Sequence, residues 1–150
     1  MKLNLGCGND IRDGYVNIDL NSNHQKVIKG DISNLDIFSL TDNSVDEILA
    51  IDVIQYFNYQ NIVNVIANWC QKLKSNGSIY IESIDYNMIS NMMFYDLLGS
   101  EVVNNLLYGD PGLKGVYNLP SIESLLRNNK MQIDIKGFKE AKFYIRAVKL

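Results

Sequence analysis

The stretch LNLGCGND, residues 3–10, decides the fold of this chain. It starts with a short apolar segment and then places Gly6 and Gly8 on either side of Cys7. Glycines directly after an apolar segment indicate a backbone that turns sharply or lies against a ligand, because glycine has no Cβ to prevent either. The stretch therefore predicts a strand that ends in a ligand-facing loop.

The composition fits an ordinary globular domain. The chain has 150 residues, of which 47% are hydrophobic and 21% are charged, with a formal net charge of -3. This length suits one domain, and we expect a single domain over residues 1–150. The chain has no excess of positive charge that would attract nucleic acid or an anionic membrane surface. No apolar run is long enough to span a bilayer.

The two cysteines and the single histidine give no sign of a metal site. Cys7 lies in the glycine loop and Cys70 in an apolar helical pattern, a spacing that matches neither a disulfide framework nor a metal-binding motif. We expect a reducing, cytoplasmic compartment and no signal peptide. His24 lies in a polar loop, where a surface position is the simpler interpretation.

Strands and helices alternate along the sequence. Apolar or β-branched segments bounded by turn residues predict seven strands: residues 2–5, 15–20, 26–29, 45–51, 78–84, 131–138 and 141–150. Helical patterns lie at residues 59–77, 88–100 and 121–129, with Gly77 expected as a left-handed cap and Ser121 as an N-cap. The order predicts an α/β fold. We expect a Rossmann-like, seven-stranded, mostly parallel sheet with a C-terminal antiparallel hairpin and helices on both faces.

The glycine loop and the acid on the second strand indicate the class of ligand, which binds beyond the carboxyl ends of the strands in such sheets. A dinucleotide site needs a third glycine and an acid about 20 residues further on. Here Ile11 occupies the third glycine position, and Asp19 follows Gly8 by only 11 residues. These departures disfavour NAD and suit a ligand with a ribose and no pyrophosphate. We expect Gly6 and Gly8 to admit an amino-acid moiety and Asp19 to accept hydrogen bonds from two ribose hydroxyls.

A second acid follows the third strand in the segment GDI, residues 30–32. Asp31 is placed to accept a hydrogen bond from an adenine amine. Ile32 would pack on the ring and offer its amide to a ring nitrogen. Turns and acids at successive strand ends, each matched to one part of a nucleoside, are more specific than two glycines alone.

These segments resemble the motifs of the class I S-adenosylmethionine-dependent methyltransferases of the small methyltransferase-domain type. The matching segments are LNLGCGND (3–10), NIDL (17–20), GDISNL (30–35), VDEILAIDVIQYF (45–57) and WCQKLKSNGSIYIES (69–83). The resemblance implies S-adenosylmethionine as the cofactor and S-adenosylhomocysteine as the product. It also implies a cofactor site formed by Gly6, Cys7, Gly8, Asp19, Leu20, Asp31, Ile32 and Asp52. Cys7 would face the ligand with its amide, since nothing pairs its thiol with a histidine.

The chemistry is expected at Asp52 and Tyr56, which follow the fourth strand. Gln55 and Tyr56 replace the Glu-His pair of many relatives, and Asp52 would either contact the methionyl group, serve as a base or cap a helix. Tyr56, Tyr108 and Tyr117 are candidates for an acceptor pocket, since the glycine-rich loop between the last two can fold over the strand ends. The acceptor is expected to be a small molecule, a sugar or a short peptide, and the sequence leaves the oligomeric state open.

Two other interpretations keep the same fold. The unusually short first crossover and the Gln55-Tyr56 replacement would also fit a degenerate methyltransferase-like subunit that scaffolds a partner. Another S-adenosylmethionine-using enzyme, an aminopropyl transferase or a lyase, would differ in its product. A NAD-dependent dehydrogenase is the remaining alternative.

Overall fold

Seven strands form a single mixed sheet in the computed structural model, which describes residues 1–150. They are β1 (Lys2–Leu5), β2 (Val16–Asp19), β3 (Val27–Lys29), β4 (Val45–Ile51), β5 (Leu73–Ile84), β6 (Met131–Lys139) and β7 (Lys142–Lys149). The spatial order is β3-β2-β1-β4-β5-β7-β6. Six strands run in the same direction, and β7 runs opposite to them. The predicted Rossmann-like sheet with its C-terminal hairpin is confirmed.

Four α-helices and two short 3₁₀ helices connect the strands. The α-helices are α1 (Tyr59–Lys72), α2 (Tyr86–Phe94), α3 (Ser100–Tyr108) and α4 (Leu119–Asn128), and the 3₁₀ helices are Leu35–Phe38 and Ile54–Tyr56. The segment 88–100 was predicted as one helix. In the structure α2 ends within this segment at Phe94, and α3 begins at its last residue, Ser100. Asp96 has a positive φ of 57°, which breaks the helical path, and Gly99 caps the start of α3.

One face of the sheet is apolar and carries the helices. Leu5, Ala50 and Ile81 are adjacent in register across β1, β4 and β5, and all three are fully buried. Trp69 of α1 and Leu126 of α4 belong to the same hydrophobic core. Both helices therefore pack on this face.

The opposite face is polar, which differs from the expected arrangement of helices on both faces. Lys2 pairs with Glu47 at 2.8 Å, and Arg146 pairs with Asp134. The connections β1–β2 and β2–β3 lead away from β4, so the right-handed crossover rule places them on this face. Neither connection contains a helix. Half-exposed polar side chains cover the strands there instead.

Two buried asparagines hold the first of these connections in place. Asn4 and Asn17 are register partners on β1 and β2, and the Asn4 amide donates to Asn17 Oδ1 at 3.0 Å. Asn4 also donates to the Asp10 carbonyl at 2.7 Å, while Asn17 Oδ1 accepts from the Arg12 N–H at 3.0 Å. Asn17 Nδ2 donates to the carbonyls of Arg12 and Tyr15. Side chains thus satisfy backbone groups of this short first crossover, which contains no helix.

Neither expected helix cap lies where it was predicted. α1 ends at Lys72 with Leu73 as an extended C-cap, so Gly77 does not cap it, and the left-handed residue Asn76, with φ of 64°, lies within β5. Gly77 is required there because a Cβ would lie 3.0 Å from the Val45 carbonyl oxygen. The N-cap of α4 is Asn118, whose side chain accepts from the Ser121 N–H. Ser121 occupies the third helical position and returns a hydrogen bond, which completes a capping box.

Candidate active site

A cleft of 820 Å³ runs along the carboxyl ends of β3, β2, β1 and β4. Nine of the predicted site residues line it: Gly6, Cys7, Gly8, Asp19, Leu20, Asp31, Ile32, Asp52 and Tyr56. Tyr108 and Tyr117 line a separate cavity of 230 Å³ at the end of β5. The structure thus collects the predicted residues at one edge of the sheet but divides them between two cavities.

The two glycines of the loop are required for different reasons. Gly6 and Gly8 have φ values of 63° and 51°, in the left-handed region that favours glycine. A Cβ on Gly6 would lie 2.2 Å from Val53 Cγ2, so this glycine is required by packing. A Cβ on Gly8 would meet no atom within 4 Å, so Gly8 faces open space where a ligand can approach the backbone.

Asp19 fixes the shape of the loops around it. Its Oδ2 accepts from the Gly8 N–H at 2.9 Å, and its Oδ1 accepts from the N–H groups of Asn21 and Ser22, each at 2.8 Å. A carboxylate offers about four acceptor sites, so about one remains. One ribose hydroxyl fits without disturbing the loops, whereas a second would compete with these backbone donors. Sequence patterns gave no signal of this structural role.

The end of β3 presents groups that match an adenine ring. Asp31 uses Oδ1 to accept from the Ser33 N–H at 2.8 Å, and its Oδ2 accepts no hydrogen bond from the protein. Ile32 is buried, and its carbonyl accepts from Nε1 of the fully buried Trp69 at 2.8 Å. The Ile32 N–H donates to no protein group. An apolar surface, a donor and an acceptor therefore lie together.

Asp52 leaves one carboxylate oxygen without a partner. It follows β4 with φ of 53°, and its Oδ2 accepts from Lys142 Nζ. Its Oδ1 is the only buried side-chain nitrogen or oxygen of the chain that lacks a hydrogen bond. Asp52 does not cap a helix, because Val53 is the N-cap of the 3₁₀ helix that follows. An acceptor of this kind needs a donor from outside the protein, either an ordered water or a ligand group.

The loop from Gly109 to Tyr117 is tied to the end of β4. Tyr56 donates to Asp110 Oδ2 at 2.6 Å, and Gln55 accepts at its carbonyl from the N–H of Lys114 at 2.9 Å. The Tyr117 hydroxyl donates to the Phe57 carbonyl at 2.6 Å. These contacts place the loop across the strand ends.

Tyr56 stays neutral in this arrangement. The hydrogen bond to Asp110, together with burial, raises the pKa of Tyr56 to about 12. The same contact lowers the pKa of Asp110. Tyr56 therefore acts as a hydrogen-bond donor at neutral pH.

The cleft suits S-adenosylmethionine. Its volume of 820 Å³ lies within the range of about 300–1,000 Å³ that ligand pockets have. The Asp52 carboxylate supplies a negative charge that a charged amino group would pair with, and the free Ile32 N–H lacks an acceptor, which a ring nitrogen would supply. No helix of the chain has the length and apolarity that crossing a bilayer requires.

Comparisons with known proteins agree with this geometry. The family described as "Methyltransferase domain" matches residues 3–81, which is more than half of the chain. No curated protein matches the chain.

Solved structures share the fold at low sequence identity. A SAM-dependent methyltransferase from Archaeoglobus fulgidus is 16% identical with a TM-score of 0.74, over 99% of this chain and 85% of that one. A methyltransferase structure from Methanosarcina mazei is 20% identical with a TM-score of 0.71, over 99% and 92% of the two chains. A possible histamine N-methyltransferase from Thermotoga maritima is 15% identical with a TM-score of 0.70, over 99% and 82%. The chain belongs to the methyltransferase-domain family, and its cofactor is S-adenosylmethionine.

Proposed function

We propose that this chain transfers the methyl group of S-adenosylmethionine to a small acceptor. The observation that supports the proposal is the continuity of the cleft, which joins Gly8, Asp19, Asp31 and Asp52 along four strand ends. The cofactor has its methionyl group at one end and adenine at the other. In this cleft the adenine therefore lies over β3 and the methionyl group over β1 and β4.

Each residue has a role in binding under this proposal. Gly8 admits the methionyl backbone, and Asp19 accepts from a ribose hydroxyl with its remaining acceptor site. Asp31 and Ile32 bind the adenine edge and face. The Asp52 carboxylate, which is 41% exposed, accepts from the charged amino group.

Catalysis rests on positioning. The bound cofactor supplies a methyl group on a sulfonium, whose thioether leaving group needs no acid. Holding two reactants in line lowers a barrier by up to about 7–11 kcal/mol in favourable cases. Tyr56, with a pKa of about 12, positions the loop through Asp110 and does not serve as a base. Where the acceptor must lose a proton, the candidate base is Asp52, a carboxylate that lines the cleft at the end of β4.

Binding of S-adenosylhomocysteine, measured by calorimetry, tests the cofactor site. We expect saturable binding with one site per chain and no binding of NAD. Asp52→Asn should weaken this binding, because an amide lacks the charge that the amino group needs. Asp46→Asn is the matched control, since Asp46 lies near the other end of the same strand and pairs with Lys74. Absence of binding at millimolar ligand would contradict the proposal.

A further inference from the structure

A second cavity adjoins the cofactor cleft at the next strand along the sheet edge. The cleft covers the ends of β3, β2, β1 and β4, and the cavity of 230 Å³ lies over Ser83 and Ile84 at the end of β5. Lys114 lines both. A molecule in this cavity therefore approaches the cofactor cleft from the side opposite the adenine end.

The surface of this cavity is mainly apolar. Eight of its 12 lining residues are hydrophobic. Ile84 of β5, Leu106 and Leu107 of α3, and Leu113 and Val116 of the loop supply aliphatic side chains.

The inner polar groups of the cavity are already satisfied by the protein. The Gln55 amide donates to the Asp52 carbonyl at 3.0 Å and accepts from the Ser83 hydroxyl at 2.8 Å. The Tyr117 hydroxyl donates to the Phe57 carbonyl at 2.6 Å. The polar lining groups without a protein partner are the hydroxyls of Tyr86 and Tyr108 and the ammonium of Lys114, and all three residues are exposed. A polar molecule placed in the inner part of the cavity would lose hydrogen bonds to water and find no replacement there, which is costly.

We propose that this cavity binds the methyl acceptor and that the acceptor is a small, mainly apolar molecule, not a sugar or a peptide. The inference rests on the proposed function and names its substrate class. The cavity of 230 Å³ exceeds the roughly 150 Å³ that holds benzene. It is smaller than the roughly 300 Å³ lower bound for pockets of drug-sized ligands. A bicyclic aromatic molecule matches this size.

The nucleophilic atom of such an acceptor lies toward Gln55 and Lys114, where the two cavities meet. In the transfer, its lone pair forms the new bond to the methyl carbon. The carbon–sulfur bond breaks with its electron pair remaining on sulfur, and a proton on the acceptor atom leaves to water or to Asp52. The products are the methylated acceptor and S-adenosylhomocysteine.

Binding of 1-naphthol to the protein saturated with S-adenosylhomocysteine tests the inference, with D-glucose as the polar probe of similar size. We expect one naphthol per chain and no glucose binding by calorimetry. Leu106→Trp fills the cavity from α3 and should weaken naphthol binding about tenfold or more. Val102→Trp, one turn earlier on the same helix and outside the cavity, should leave it unchanged.

A second cavity variant keeps the test valid if Leu106→Trp fails to fold. Val116→Asp places a charge at a residue that is 55% exposed, so the fold tolerates it, and it should weaken naphthol binding as well. Affinity for S-adenosylhomocysteine, measured on each variant, should stay within twofold of the wild type. Binding of glucose, or naphthol binding that both cavity variants leave unchanged, would overturn the inference. Loss of S-adenosylhomocysteine binding by the wild type would instead refute the proposed function.

Discussion

Replacing Asp19 tests whether one carboxylate serves both the loop and the cofactor. The side chain accepts three backbone hydrogen bonds, from Gly8, Asn21 and Ser22, at 2.8 to 2.9 Å. Hydrogen bonds to a charged group contribute about 1.5–3 kcal/mol each. Asp19→Ala removes the ribose contact, so we expect S-adenosylhomocysteine to bind about 10- to 150-fold more weakly.

Asp19→Asn separates the two roles. The amide oxygen can still accept from Asn21 and Ser22, but the NH₂ group then faces the Gly8 N–H, donor against donor. We therefore expect this variant to keep the turn at residues 19–22 and to release the glycine loop. Its affinity for the cofactor product should fall nearly as far as that of the alanine variant.

The assay is isothermal calorimetry, with urea unfolding to follow stability. Asp13→Ala is the matched control, because its carboxylate is 94% exposed and does not line the cleft. An affinity of Asp19→Ala within twofold of the wild type would refute the reasoning. So would an equal loss in the Asp13 variant.

Three further outcomes follow from the described contacts. Gly8→Val should abolish cofactor binding, as measured by calorimetry. The protein should stay folded by circular dichroism, because no atom lies within 4 Å of the added Cβ. The left-handed backbone at this residue should cost about 1–2 kcal/mol of stability. Asp110→Asn should move the Tyr56 pKa from about 12 back toward 10, as followed by ring-carbon NMR. Because the raised pKa favours the neutral phenol in the fold, this contribution to stability is complete below pH 10 and is lost as the pH rises through about 12. Trp69→Phe leaves the Ile32 carbonyl without its donor and should cost about 1–3 kcal/mol in urea unfolding from this effect alone; a loss under about 0.5 kcal/mol would contradict it.

Most of the sheet was predictable because its strands are short apolar segments between turn residues. The bounds of β1 and β4 agree with the prediction, since Gly6 and Asp52 end the two runs. Local signals located the caps less well. Asn118 and Ser121 are both good capping residues, and only the reciprocal hydrogen bonds show which one begins α4.

The residues of the site were predictable from the sequence, but the hydrogen bonds and ion pairs that they make were not. Strand-end positions identified Asp19 and Asp52 because parallel strands end at one edge. The ion pair of Asp52 with Lys142 and the hydrogen bond of Gln55 with Ser83 join residues 90 and 28 positions apart. No sequence period reports such contacts, so the apolar character of the second cavity emerged only from the packed structure.

The two buried asparagines have a consequence for motion. The loop at residues 9–15 has few backbone hydrogen bonds of its own, and side chains of Asn4 and Asn17 supply most of the others. Such a segment opens by breaking a few side-chain hydrogen bonds and no strand ladder, so its opening costs less than global unfolding. Its amides should exchange with deuterium far sooner than those of β1 and β2 beneath it. Gly8 adjoins this loop, so a cofactor bound in the cleft would slow deuterium exchange of the loop amides. Cofactor binding could then be followed by the exchange rate alone, with no label attached to the protein.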